Sequence, residues 1–248
     1  MKPKPSPAES CFSTPWDAPL VPKFPFTYRN VEVMTLVYRS DPKAISALLP
    51  PLLERTSDLV LIHIYNMHDV EWLGAYGECN VMIGARFGDK ADGGYSPYLF
   101  LDSDIGLAQG REVHGQPKKF ARPSIKLRQD LLVGVVERNG IEIITGTMGY
   151  KCQRGDLDSL RQKMDFVTNL NYKVIPHIDG TTAVRQLTSR KLTEVKVHEC
   201  WTGACTVDLR PNALAPAYKL PVLEVLDGYY WRADFTLVEG AVVHDFLK

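Results

Sequence analysis

The sequence has no excess of either charge: 29 Lys and Arg residues stand against 29 Asp and Glu in 248 residues. Without a net field, nothing in the composition draws the chain to nucleic acid or to an anionic membrane surface. Cysteine is scarce. The five present (Cys11, Cys79, Cys152, Cys200 and Cys205) are odd in number and form no CxxC pair. They read as neither a disulfide framework nor a zinc site, and a reducing compartment fits them best. No apolar run reaches the length of a membrane span, and the opening MKPKPSPAESCFSTPW lacks the apolar centre of a signal peptide. A soluble, cytoplasmic protein is expected. GxGxxG opening a helix, GxxxxGK[ST], HExxH and GxSxG are also missing, which leaves nucleotide-phosphate and zincin chemistry unsupported. The six histidines are scattered, and the odd separation of His63 and His68 puts them on opposite faces of a strand. No metal site is expected.

What is present is ordinary globular material, 45% apolar and 23% charged, enough for a core. Residues 1–23 are rich in proline and small polar residues and read as an extended arm; residues 24–248 read as one domain. Asp41-Pro42 is a helix cap followed by proline at the first helical position, and Pro50-Pro51 stops that helix. DLVLIHIYNM (58–67) is strand-like, with Leu61, His63, Tyr65 and Met67 sharing a face. AYGECNVMIGARF (75–87) aligns Tyr76, Glu78, Asn80 and Met82, which sets a carboxylate in a largely apolar row. Asn139-Gly140 suits a type I′ hairpin turn, and GDLDSLRQKMDF (155–166) reads as a short amphipathic helix capped by Asp156 or Asp158. Many strands, few short helices and no regular alternation of the two predict an α+β fold, mostly antiparallel β, or a barrel.

The adjacent pair Lys118-Lys119 in GQPKKFA admits two readings. Adjacent lysines usually form a solvated basic face. Alternatively, one ammonium lowers the pKa of the other, and only a neutral amine is a nucleophile. At a separation of about 6 Å and an effective dielectric of about 20, one neighbour costs the ammonium roughly 2.8 kcal/mol, or about two pKa units. An apolar pocket would have to supply the rest. Such an amine forms an imine with a carbonyl substrate. Glu78 and His63 likewise have plain readings, as an exposed or ion-paired carboxylate and as a satisfied core histidine.

Around GRE and PKK (110–112 and 117–119) the sequence resembles the acetoacetate decarboxylase family. The resemblance runs through LVYRSDPKAISALLPPLLE (36–54), MHD with LGAYGE (67–69 and 73–78), YLFLDSDIGLAQGRE (98–112), TMGYK (147–151), VHECWTG (197–203), LAPAYKLPV (214–222) and VVHDFLK (242–248). It implies that family's β-barrel or cone with a few short helices. It also implies a cofactor-free lyase that decarboxylates a small β-keto acid through a lysine imine, and assembly into a large homo-oligomer. Acetoacetate decarboxylase is itself a known instance of a desolvated lysine beside a cationic group, so these roles come from the resemblance. Carried over, Lys118 is the imine-forming residue, Lys119 the perturbing cation and Glu78 a proton donor or acceptor; His114 and Gln116, beside the pair, are substrate-binding candidates.

Two positions depart from the family pattern: Val31 stands where the family has an arginine, and His63 where it has a glutamate. Arg29, two residues before Val31, would share its face on a regular strand, displaced by roughly 6.8 Å, and so is a candidate to meet the substrate carboxylate. His63 is a catalytic candidate that manages protons with Glu78 in the decarboxylase reading, and a histidine there equally suits proton transfer in aldol or dehydration steps. Imine chemistry without decarboxylation, by an aldolase or dehydratase acting on a keto acid, is therefore the alternative. A non-catalytic barrel that binds a carbonyl ligand is the third reading.

Overall fold

A computed structural model describes residues 12–248; residues 1–11, the first part of the expected N-terminal arm, lie outside the described residues. Residues 12–23 run as bends, tied by a hydrogen bond from Val21 N to Ser13 Oγ (2.8 Å). The strands that follow are β1 (Phe26–Arg39), β2 (Glu54–Val70), β3 (Gly74–Phe87), β4 (Ala91–Leu101), β5 (Lys118–Phe120), β6 (Arg122–Arg128), β7 (Leu131–Arg138), β8 (Ile141–Gly149), β9 (Gln153–Arg154), β10 (Thr168–Pro176), β11 (Thr182–Gly203), β12 (Cys205–Leu209), β13 (Glu224–Leu237) and β14 (Ala241–Asp245). The α-helices are short: α1 (Pro42–Leu48), α2 (Asp104–Ala108) and α3 (Leu157–Lys163).

The local signals act as their chemistry requires. Asp41 Oδ1 accepts from Lys43 N at 2.8 Å to cap α1, with Pro42 at its first position. Asp156 caps α3 in the same way. Asn139 and Gly140 both have positive φ, 54° and 77°, in the β7–β8 hairpin, as a type I′ turn demands.

The large sheet has the order β10-β11-β13-β1-β2-β3-β4-β5, with β14 and β9 added on β11. A short parallel contact, Asn169 with Gly94 and Leu170 with Tyr95, ties β10 back to β4, so the sheet curls toward itself. A second sheet, β12-β8-β7-β6, covers one face. The expected mostly antiparallel α+β architecture is thus the one observed.

Strand alternation sorts the side chains into two cores. Met34, Leu36, Ile62, Ile64, Cys79, Val81 and Phe100 pack outward, against Leu132, Val136 and Ile144 of the second sheet. Val33, Leu61, Tyr65, Tyr76, Leu99 and Trp231 point inward. Polar residues are buried on the same inward rows: His63 opposite Asn80, Glu78 opposite Tyr65, and Lys118 opposite Leu99. A buried polar group needs a partner or a use, which makes this inner row the place to look for chemistry.

Candidate active site

Lys118 enters this interior at the start of β5, after a π-helical turn (Gln109–His114) that ends on Gly115 at φ +83°. Its stem passes over Gly110, where a Cβ would lie 2.4 Å from Lys118 Cδ and 2.6 Å from Cε. The glycine of GRE is there to let the lysine through. Lys118 is 5% exposed and Glu78 7%. Nζ donates to Glu78 Oε2 at 3.0 Å. The surrounding cavity is lined by Tyr28, Tyr65 and Tyr76, by Leu192, Phe235 and Leu237, and by Met67, Gln116 and Arg190; Tyr28 stacks on Phe235. Tyr28 and Tyr76 bring their hydroxyls within 3.4 Å of each other. Burial pushes Tyr28 up to about 12 and raises Tyr65 and Tyr76 as well, so the phenols stay neutral donors.

The Lys118 ammonium is held below the ordinary lysine pKa, first by burial and also by the Arg190 guanidinium, against the opposing pull of Glu78. Lys119 leaves on the other face. In a strand, successive side chains leave on opposite faces, and Lys119 points out, exposed, with Nζ donating to Leu214 O at 2.6 Å. A cation that does lower the pKa of the amine is the Arg190 guanidinium of β11, which lines the same cavity.

The other predicted site residues divide. Gln116 lines the cavity and is fixed by its Nε2, which donates to Asn169 Oδ1 at 3.2 Å. Val31 is buried in the inner core. Arg29 does not share its face: a bulge between Tyr28 and Val31, with Asn30 at φ +53°, breaks the two-residue alternation. Arg29 is left outside, half exposed, 3.5 Å from Asp69. His63 faces inward two register pairs beyond Tyr65 and Glu78, beside the Tyr65 ring but not itself part of the cavity lining. Its Nδ1 lies 2.8 Å from Thr35 Oγ1, which accepts from Trp231 Nε1 at 3.0 Å, and its ring packs on Phe166. Burial drives His63 down to about 3, which keeps the imidazole neutral. His114 is buried against Phe24, in a neighbouring pocket with Thr188 and Gly240. Burial, with Arg190, Lys118 and Lys173 adding to it, also takes His114 down to about 3.

Arg190 and Tyr28 were not singled out by the sequence reading. Arg190 had a signal available: Arg190-Lys191 is a second basic pair, on a segment where Thr188 and Leu192 alternate with it.

A desolvated lysine amine, a carboxylate within hydrogen-bonding distance and neutral phenols around them define a site that forms imines with carbonyl compounds. A family model described as acetoacetate decarboxylase matches residues 11–247. Acetoacetate decarboxylase 2 of Mesorhizobium japonicum is 37% identical over 238 residues, covering 96% of this chain and 90% of that protein. Acetoacetate decarboxylase of Burkholderia cenocepacia is 35% identical over 245 residues, covering 98% and 99%. A solved acetoacetate decarboxylase structure superposes with a TM-score of 0.92 at 33% identity, over 99% of this chain and 100% of that one. The enduracididine biosynthesis enzyme MppR, solved with pyruvate, shares the fold at a TM-score of 0.78 and 19% identity, over 95% and 98%; a second structure of it holds the condensation product of pyruvate and imidazole 4-carboxaldehyde. The chain belongs to the acetoacetate decarboxylase family. It is a lyase of the carboxy-lyase type, from a family that works without a cofactor through a lysine imine with its substrate.

Proposed function

We propose that the protein decarboxylates a small β-keto acid through an imine at Lys118. The observation that carries this reading is the buried Lys118–Glu78 contact of 3.0 Å in a cavity walled by apolar and phenolic side chains. Glu78 accepts a proton from the Lys118 ammonium, and the neutral Nζ adds to the ketone. Glu78 returns the proton to the departing hydroxyl as water leaves. The protonated imine takes up the electron pair of the C–C bond one carbon away as CO2 departs. The enamine carbon takes up a proton that enters from solvent, and water hydrolyses the resulting protonated imine to release the ketone and the lysine ammonium. Incubation with acetoacetate and borohydride is expected to modify Lys118, and a Lys118→Ala protein that still released CO2 at the wild-type rate would sink the proposal.

A second reading keeps the imine and retains the carboxylate, giving aldol condensation or dehydration. Val31, apolar and buried where the family resemblance implies an arginine, favours it, and MppR carries a pyruvate condensation product on the same fold. CO2 from acetoacetate against a condensed product from pyruvate plus an aldehyde separates the two.

The proposal extends to assembly and setting. Residues 24–248 act as one domain in a large homo-oligomer, which the exposed apolar side chains of Trp16, Trp72, Leu214 and Leu223 support. A cytoplasmic setting accords with the four described cysteines, all free. Among the described residues no helix is long and apolar enough to cross a membrane.

A further inference from the structure

We propose that Arg190 is the carboxylate receptor of this site and selects keto acids over neutral ketones of the same size. The inference rests on the imine reading above and adds the group that recognises the substrate. Arg190 lines the cavity with Lys118 and Glu78. Its Nε and Nη1 are buried, and neither has a hydrogen-bond partner among the described residues. A guanidinium is always charged and carries five donors in a fork that matches a carboxylate. Leaving such donors buried and unpaired is costly. Glu78, the carboxylate in the cavity lining, is engaged by Lys118 Nζ at 3.0 Å. A ligand carboxylate satisfies the free donors.

The position across the cavity has its own logic. Val31 is buried in the inner core, and the β1 bulge sends Arg29 to solvent. The arginine of the cavity lining comes instead from β11. Glu78 and Arg190 cancel in charge, so a protonated lysine leaves the cavity one positive charge in excess, and one substrate carboxylate neutralises it.

Arg190 also acts on the Lys118 amine, so loss of activity in a variant would not by itself show that it binds substrate. A ratio removes this ambiguity. Levulinate and 2-pentanone are matched ketones that do not decarboxylate and differ by a carboxylate. Both react with the same amine, so any change in its nucleophilicity cancels. Cyanoborohydride trapping rates are measured for both in wild type, Arg190→Met and Arg190→Lys. The wild-type protein is expected to prefer levulinate. In R190M the ratio of levulinate to 2-pentanone is expected to fall roughly ten- to a hundredfold, the loss of a charge-assisted contact, and R190K to restore part of it. R190K keeps the charge and carries the test if R190M does not fold, since a point charge in place of the fork still lowers the ratio. Trapping of both ketones with an unchanged ratio in the variants overturns the role of Arg190 and leaves the imine reading standing. Trapping of neither ketone by the wild-type protein overturns both.

Discussion

Lys118 and Lys119 leave one short strand on opposite faces, the first donating to Glu78 Oε2 inside the molecule and the second to Leu214 O outside it. Burial and Arg190 lower the pKa of the reactive amine and Glu78 raises it, while the neighbouring ammonium lies outside.

Lys119 is accordingly expected to be dispensable for tuning Lys118. The neutral, nucleophilic amine gains population as pH rises through its lowered pKa, so the rate climbs below the ordinary lysine range. In Lys119→Met this ascending limb is expected to stay where it is in wild type, as measured by kcat/KM against pH. An upward move of about one unit or more would restore Lys119 as the perturbing cation.

Gly110→Ala tests the passage of the lysine stem. The added Cβ would meet Lys118 Cδ at 2.4 Å and Gln116 Oε1 at 2.9 Å, so the lysine must move. The expected cost is about 1–3 kcal/mol of stability, typical of overpacking, with a larger loss in imine trapping than in the unfolding midpoint. Unchanged trapping would show that the stem has another route.

Acid should weaken the fold through its buried imidazoles. His63 and His114 are each pushed down to about 3, chiefly by burial. Between the ordinary histidine value near 6.5 and that depressed value, the unfolded chain binds more protons than the folded one, so stability falls as pH drops through the window. Each histidine contributes a slope of up to about 1.4 kcal/mol per pH unit there. Urea midpoints at pH 7, 6 and 5 are expected to decline less steeply in His63→Gln than in wild type. Parallel declines would mean that His63 is hydrated or already charged in the fold.

Much of this was legible in the residues because strand alternation is local. The two-residue period put Glu78 in line with Tyr76, and His63 in line with Tyr65, and both rows do point inward. The failures arose where that period breaks or where distant segments meet. Arg29 and Val31 share a face only on a regular strand, and nothing but the identity of Asn30 hinted at the positive φ that separates them. The exit of Lys119 follows from the same alternation once PKKF is known to be a strand, but its proline and adjacent charges did not mark it as one. Arg190 reaches the cavity because β11 pairs with β13 while β10 contacts β4, a closure between segments far apart in the chain. No periodicity within its own strand reveals that partner.

The most direct test is the mass and position of the lysine adduct formed when the protein, acetoacetate and borohydride are combined. Imine formation followed by decarboxylation predicts a single N-isopropyl lysine at position 118, absent from Lys118→Ala. An unmodified Lys118 alongside continued CO2 release, or an adduct at 118 that still bears the carboxylate, would contradict it.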